Sequence, residues 1–119
     1  MMHYTEKQEK NEIVRRFDSK TNIKNAKKNG IVYDSTKGSG IPTATTNIEP
    51  VGPDKIKELL GAKNADYYMD INITNKLVLR RKTKQGHYEI VIQENIKPED
   101  IVESGIVKKG QKSKTSGED

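Results

Sequence analysis

With 119 residues, 31% of them hydrophobic and 33% charged, the chain can build one small domain around an economical core, and a two-domain organisation is set aside. The absence of cysteine rules out disulfides, thiolate metal sites and a thiol nucleophile, and no apolar run approaches the roughly 20 residues that a membrane span needs. The formal net charge of +5 favours an anionic partner such as nucleic acid, nucleotide or a membrane surface.

Residues 6 to 18, "EKQEKNEIVRRFD", have helix-forming composition, and Ile13, Val14 and Phe17 make a narrow apolar stripe that predicts a short amphipathic helix. The following "SKTNIKNAKKNG" predicts a second helix that starts at Ser19 or Thr21 and stops at Gly30, with Ile23 and Ala26 as its apolar face. "IVYDST", residues 31 to 36, reads as a strand, "KGSGIP" as a flexible loop and "TATTNIEP" as extended chain. "KGSG" lacks the spacing of a phosphate-cradling P-loop and reads as a plain turn. In "GPDKIKELLGAK" the proline falls near the first helical position, Asp54 lies in the first turn, and Ile56, Leu59 and Leu60 share a face, so this is the best-specified helix.

"DYYMDINI" alternates Tyr67, Met69, Ile71 and Ile73 against Tyr68, Asp70 and Asn72, a period of two. Turns at "TNK" and "KQG" then lead into "LVLRRKT" and "HYEIVIQ", which predicts a three-strand antiparallel meander over residues 66 to 93. Tyr67 and Tyr68 read as sheet packing. Lys97 to Ser104 offers a short helical turn and "GIVKK" an edge strand, while "GQKSKTSGED" has no core-forming residue. The expected fold is α+β, with N-terminal helices packed on a twisted, mainly antiparallel β-sheet. Residues 1–107 form the single domain and 108–119 a disordered basic tail.

The last meander strand carries the chemistry. Tyr88, Ile90 and Ile92 fall on one face, and His87, Glu89, Val91 and Gln93 on the other. A histidine and a carboxylate two residues apart point the same way, with Arg80 and Arg81 on the strand expected beside them. Such a face is a solvated sheet surface or a working site. One chemistry that fits is RNA cleavage, in which a carboxylate or histidine takes the 2′-hydroxyl proton and arginine stabilises the phosphorane, using His87, Glu89, Arg80 and Asp70. Another is attack on the nicotinamide glycosidic bond of NAD, in which a glutamate stabilises the oxocarbenium ion while a histidine or small hydroxyl holds the ribose. With His3 and His87 as the only imidazoles, no dedicated zinc site is expected.

"HYT" at 3 to 5, "STKGSGIPTATTNIEP" at 35 to 50, "ELLG" at 58 to 61, "YYMDINI" at 67 to 73 and "YEIVIQENIKPEDIVESGIV" at 88 to 107 resemble the successive blocks of small bacterial toxin-type ADP-ribosyltransferases. The likeness implies a catalytic domain that uses NAD as substrate, without metal. It implies that His3 contacts the ribose of NAD and that Glu89 is the catalytic carboxylate. Tyr33 is the aromatic offered to nicotinamide, and Ser35 and Thr43 are further cofactor contacts. Where the family's glycine-rich segment continues into an aromatic, this chain has "GIP".

The leading expectation is therefore a bacterial toxin or effector that transfers ADP-ribose from NAD to a macromolecular acceptor, protein or nucleic acid. The alternatives are a small basic ribonuclease toxin and a non-catalytic RNA- or protein-binding module. A toxin implies an acidic immunity protein that covers the positive face. The chain is expected to be soluble, without membrane insertion, in the bacterial cytoplasm or delivered into a target cell.

Overall fold

The computed structural model describes residues 4–8, 11–38, 40–45, 52–60, 62–82 and 88–107. Among these residues, seven strands and two helices follow in the order β1 (Tyr4–Gln8), β2 (Ile13–Asp18), α1 (Lys20–Asn29), β3 (Ile41–Thr45), α2 (Pro53–Leu60), β4 (Tyr67–Asn72), β5 (Lys76–Lys82), β6 (Tyr88–Ile92) and β7 (Ile101–Ile106). Single 3₁₀ turns at Ser35–Lys37 and Pro98–Asp100 precede β3 and β7. The strands lie in one sheet in the order β1-β5-β6-β3-β2-β4-β7, and every neighbouring pair is antiparallel. The architecture is mixed helix and strand, and mostly sheet. Among the described residues no helix is long and apolar enough to cross a membrane.

The helix expected over residues 6 to 18 is replaced by β1 and β2. The physical reason is that β2 is covered on both faces. Val14 joins one buried cluster, with Ile23 and Ala26 of α1, and Phe17 joins the other, with Ile56 of α2. Two apolar residues three apart then mimic a helical stripe although they point to opposite sides of a sheet. α1 forms as its caps dictate. Ser19 Oγ accepts from the Asn22 amide at 3.1 Å, and Gly30, at φ 78°, donates its N–H to the Ala26 carbonyl at 2.7 Å. α2 starts at Pro53, as expected.

The strand expected over 31 to 36 is reduced to one bridge between Ile31 and Ile96. Asp34 diverts the chain, because its Oδ1 accepts from both the amide and the hydroxyl of Thr36, at 2.9 and 2.6 Å, and so caps a 3₁₀ turn. The final helical turn is likewise confined to Pro98–Asp100, and the β-branched Ile101 and Val102 begin β7 earlier than expected.

The three-strand meander is corrected to a hairpin. β5 and β6 pair, but β4 pairs with β2 and β7 instead. Ile73 and Lys76 close a tight turn (Lys76 N–H to Ile73 C=O, 3.0 Å), yet β4 and β5 stand in the sixth and second places of the sheet. Four peptide steps reach at most about 14 Å. Four strand spacings in a flat sheet would cover about 19 Å, so the sheet curls. The curl is visible in the packing: Val78 of β5 shares a cluster with Val14, Met69 and Ile71, and Arg80 of β5 reaches Glu12, before β2, at 2.8 Å. α1 fills the inner side of this curl, and α2 covers part of the outer face through Ile56, Phe17, Ala65 and Tyr68.

Candidate functional site

Residues alternate across a strand, so Glu89 lies on the outer face with Val91 and away from Ile90 and Ile92. That face is not simply wetted, for Val91 is fully buried. Directly opposite Glu89 in β5 stands Arg81, whose Nε donates to Glu89 Oε1 at 2.8 Å, and the Glu89 side chain is only 12% exposed. Continuing the β3–β6 register one step beyond Thr43↔Ile90 sets Ala44 beside Glu89. Ala44 in turn faces Arg15 of β2, Arg15 faces Asp70 of β4, and Asp70 faces Glu103 of β7. One row across six strands thus reads Arg81, Glu89, Ala44, Arg15, Asp70, Glu103. The small alanine at its centre leaves room between the two ion pairs.

The β2–β3 ladder ends at the Arg15↔Ala44 pair, and the strands part beyond it. A cleft of about 570 Å³ opens in this fork, bordered by Ala62, Lys63 and Asn64 from the segment between α2 and β4. Arg16 spans the fork: Nη1 donates to the Pro42 carbonyl at 3.0 Å and Nη2 to Asp18 Oδ2 at 3.2 Å, while Nε is buried without a partner. The other oxygen of Asp18 accepts from the Ser19 amide at 2.7 Å and from Asn22 Nδ2 at 2.8 Å. Asp18 is therefore an orienting group for Arg16, fixed to the start of α1, and has no oxygen left over as a free base.

Arg15 is held more firmly. Its Nε and Nη2 donate to the two oxygens of Asp70 at 2.7 and 3.0 Å, and its guanidinium carbon lies 3.8 Å from the centre of the Tyr68 ring. Burial works against the charge on Arg15, but the hydrogen bond and attraction of Asp70, helped by Tyr68 and Glu103, outweigh it and raise its pKa. Burial, together with Glu103, raises the pKa of the Tyr68 hydroxyl against the opposing pull of Arg15, and that hydroxyl donates to Glu103 Oε2 at 3.3 Å.

Of the residues singled out from sequence, Glu89 and Thr43 line the cleft. The Thr43 hydroxyl is committed to the Ile90 carbonyl at 2.6 Å, so it is a strut between β3 and β6. Arg80 lies on the opposite face from Glu89, paired with Glu12; strand alternation makes Arg81 the arginine beside the carboxylate. Tyr33 packs against the cluster that holds α1, and Ser35 opens the exposed turn capped by Asp34; neither lines the cleft. Asp70 is bound to Arg15. His3 and His87 lie outside the described residues.

Arg15, Arg16 and Asp18 are charged cleft residues that the sequence reading missed, and Arg81, named there beside Arg80, was given no role. The signal for these three was "VRRFD", whose alternation becomes legible once it is treated as a strand. Chemically, the cleft offers the carboxylates of Glu89 and Asp18 among arginines, with Asp18 committed to Arg16 and the start of α1, a setting suited to an anionic ligand that develops positive charge at one atom. Among the described residues no group of three or more histidine, aspartate and glutamate side chains gathers as a metal site. No family model, curated protein or solved structure matches the chain.

Proposed function

We propose that the cleft binds NAD and that Glu89 stabilises the ribose oxocarbenium ion as ADP-ribose passes to a macromolecular acceptor. The observation that carries this is the nearly buried Glu89 carboxylate in a cleft of about 570 Å³ whose other charged walls include Arg15, Arg16 and Arg81. A volume of this size lies in the range of cofactor sites. The pyrophosphate of NAD needs cationic neighbours, and Arg16 and Lys63 supply them. Nicotinamide is cationic while attached and leaves neutral, so the leaving group needs no general acid. The C1′–N bond breaks with its electron pair going to nicotinamide. A lone pair of the acceptor then bonds to C1′, and the acceptor's proton passes to solvent. What the site must provide is a fixed negative charge beside C1′, and a carboxylate pinned by Arg81 is such a charge.

Incubation of the full chain with NAD labelled in the adenosine half, and separately with total RNA, tests the proposal. Label transferred to protein or nucleic acid by the wild type, and lost in Glu89→Gln, supports it. RNA fragments formed without NAD, or absence of label transfer, overturn it.

A further inference from the structure

We propose that Arg15 is a stacking platform for a nucleobase, with Tyr68 as its support. Gly105 faces Tyr68 across the β4–β7 ladder, and a Cβ placed on it would come within 2.9 Å of Tyr68 Cε1. Arg15 lies on the ring, with its guanidinium carbon 3.8 Å from the centroid. Gly105 thus leaves room for the ring edge that carries the hydroxyl, and Arg15 sits over the ring centre.

The guanidinium belongs to the cleft. Arg15 is among its lining residues, whereas Tyr68, Asp70, Glu103 and Gly105 are not. A guanidinium is planar and stacks through either face. Tyr68 takes one face of Arg15, and we assign the other to the ligand, because Arg15 also borders the cleft. Asp70 fixes the plane by gripping two donors, Nε and Nη2, at 2.7 and 3.0 Å. It also cancels the charge, so what is offered to a ligand is a rigid planar surface more than a bare cation. The Nη1 edge remains for an acceptor on the stacked ring. A structure made only to stabilise the sheet would have no need to lay this plane against the cleft.

A purine of a nucleotide fits this platform, and that it is the adenine of NAD rests on the function proposed above. The stack itself needs only a planar base carrying a phosphate. Base-on-side-chain stacking contributes about tenfold or more to affinity. The full chain is titrated with AMP and with ribose 5-phosphate, which differ by the base alone. The expected result is that wild type binds AMP roughly tenfold or more tightly than ribose 5-phosphate. Arg15→Lys, which keeps a charge but loses the plane, and the paired change Arg15→Gln with Asp70→Asn, which avoids a stranded carboxylate, both remove that preference. Tyr68→Phe keeps it.

Equal binding of AMP and ribose 5-phosphate by wild type, or an unchanged preference in both Arg15 variants, overturns the proposal. Nicotinamide release from NAD separates the two claims. Release with an unchanged AMP preference in both variants ends the stacking claim alone. A preference lost in both variants, without any release by wild type, upholds the stack and ends the transferase proposal.

Discussion

Glu89 and Arg81 stand directly opposite one another in the β5–β6 ladder, and Arg81 Nε donates to Glu89 Oε1 over 2.8 Å. The pair fixes the carboxylate before any ligand arrives. Arrangement in advance is what makes electrostatic stabilisation effective, because no reorganisation is needed as charge develops. Glu89→Gln keeps the shape and hydrogen-bonding capacity but removes the charge. Nicotinamide release is expected to fall by about 100-fold or more, with the circular dichroism spectrum unchanged. A variant that retains wild-type release would remove Glu89 from the chemistry.

Among the described residues, Asp70 and Arg15 form the most enclosed of the ion pairs, with side-chain exposures of 7% and 16%. Removing one partner leaves a largely desolvated charge without compensation, so Asp70→Ala is expected to lower unfolding free energy by about 3 kcal/mol. Replacing both by methionine is expected to cost less than the sum of the single changes, since no charge is then stranded. Denaturant unfolding of the two single variants and the double variant measures the coupling, and strict additivity would contradict it.

Two glycines separate backbone strain from space. At Gly30 (φ 78°) a Cβ would meet the Ile96 carbonyl oxygen at 2.3 Å, whereas at Gly38 (φ 136°) nothing lies within 4 Å. Gly30→Ala therefore combines strain with a backbone clash and is expected to lose about 3 kcal/mol, against about 1 kcal/mol for Gly38→Ala. Thermal denaturation ranks them. Equal losses would mean that the end of α1 is not locked to the Ile31–Ile96 bridge.

Tyr68 makes alkaline stability informative. Burial and Glu103 raise its pKa, against Arg15, above the usual value of 10.0. The fold holds the phenolic proton to a higher pH than the unfolded chain does. This stabilising contribution is complete below about pH 10 and is lost as pH rises through the elevated value in the fold. Lysines and other tyrosines titrate in the same window, so the comparison is with Tyr68→Phe. The wild type is expected to lose more stability than that variant above pH 10, and parallel curves would show that Tyr68 is not perturbed.

Local signals were readable wherever one segment determines its own shape. Ser19 and Gly30 marked the ends of α1, Pro53 the start of α2, and the alternation through Met69 and Ile71 marked β4. What stayed hidden was long-range pairing. Nothing within residues 66 to 93 shows that β2 inserts beside β4, because that contact joins segments more than 50 residues apart, as Arg15 and Asp70 do. The same ignorance concealed β2 itself, since Val14 and Phe17 serve two different cores. At the site, Glu89 was legible from its strand. The choice between Arg80 and Arg81 was not, because a shift of one residue in register exchanges which of them faces it.

The cleft's role is tested most directly by the rate at which the full chain releases nicotinamide from NAD, compared with Glu89→Gln under the same conditions. Steady release by wild type, reduced by about 100-fold or more in the variant, is the predicted result. No release by wild type, or equal release by both proteins, would contradict the assignment of Glu89 as the group that stabilises the ribose cation.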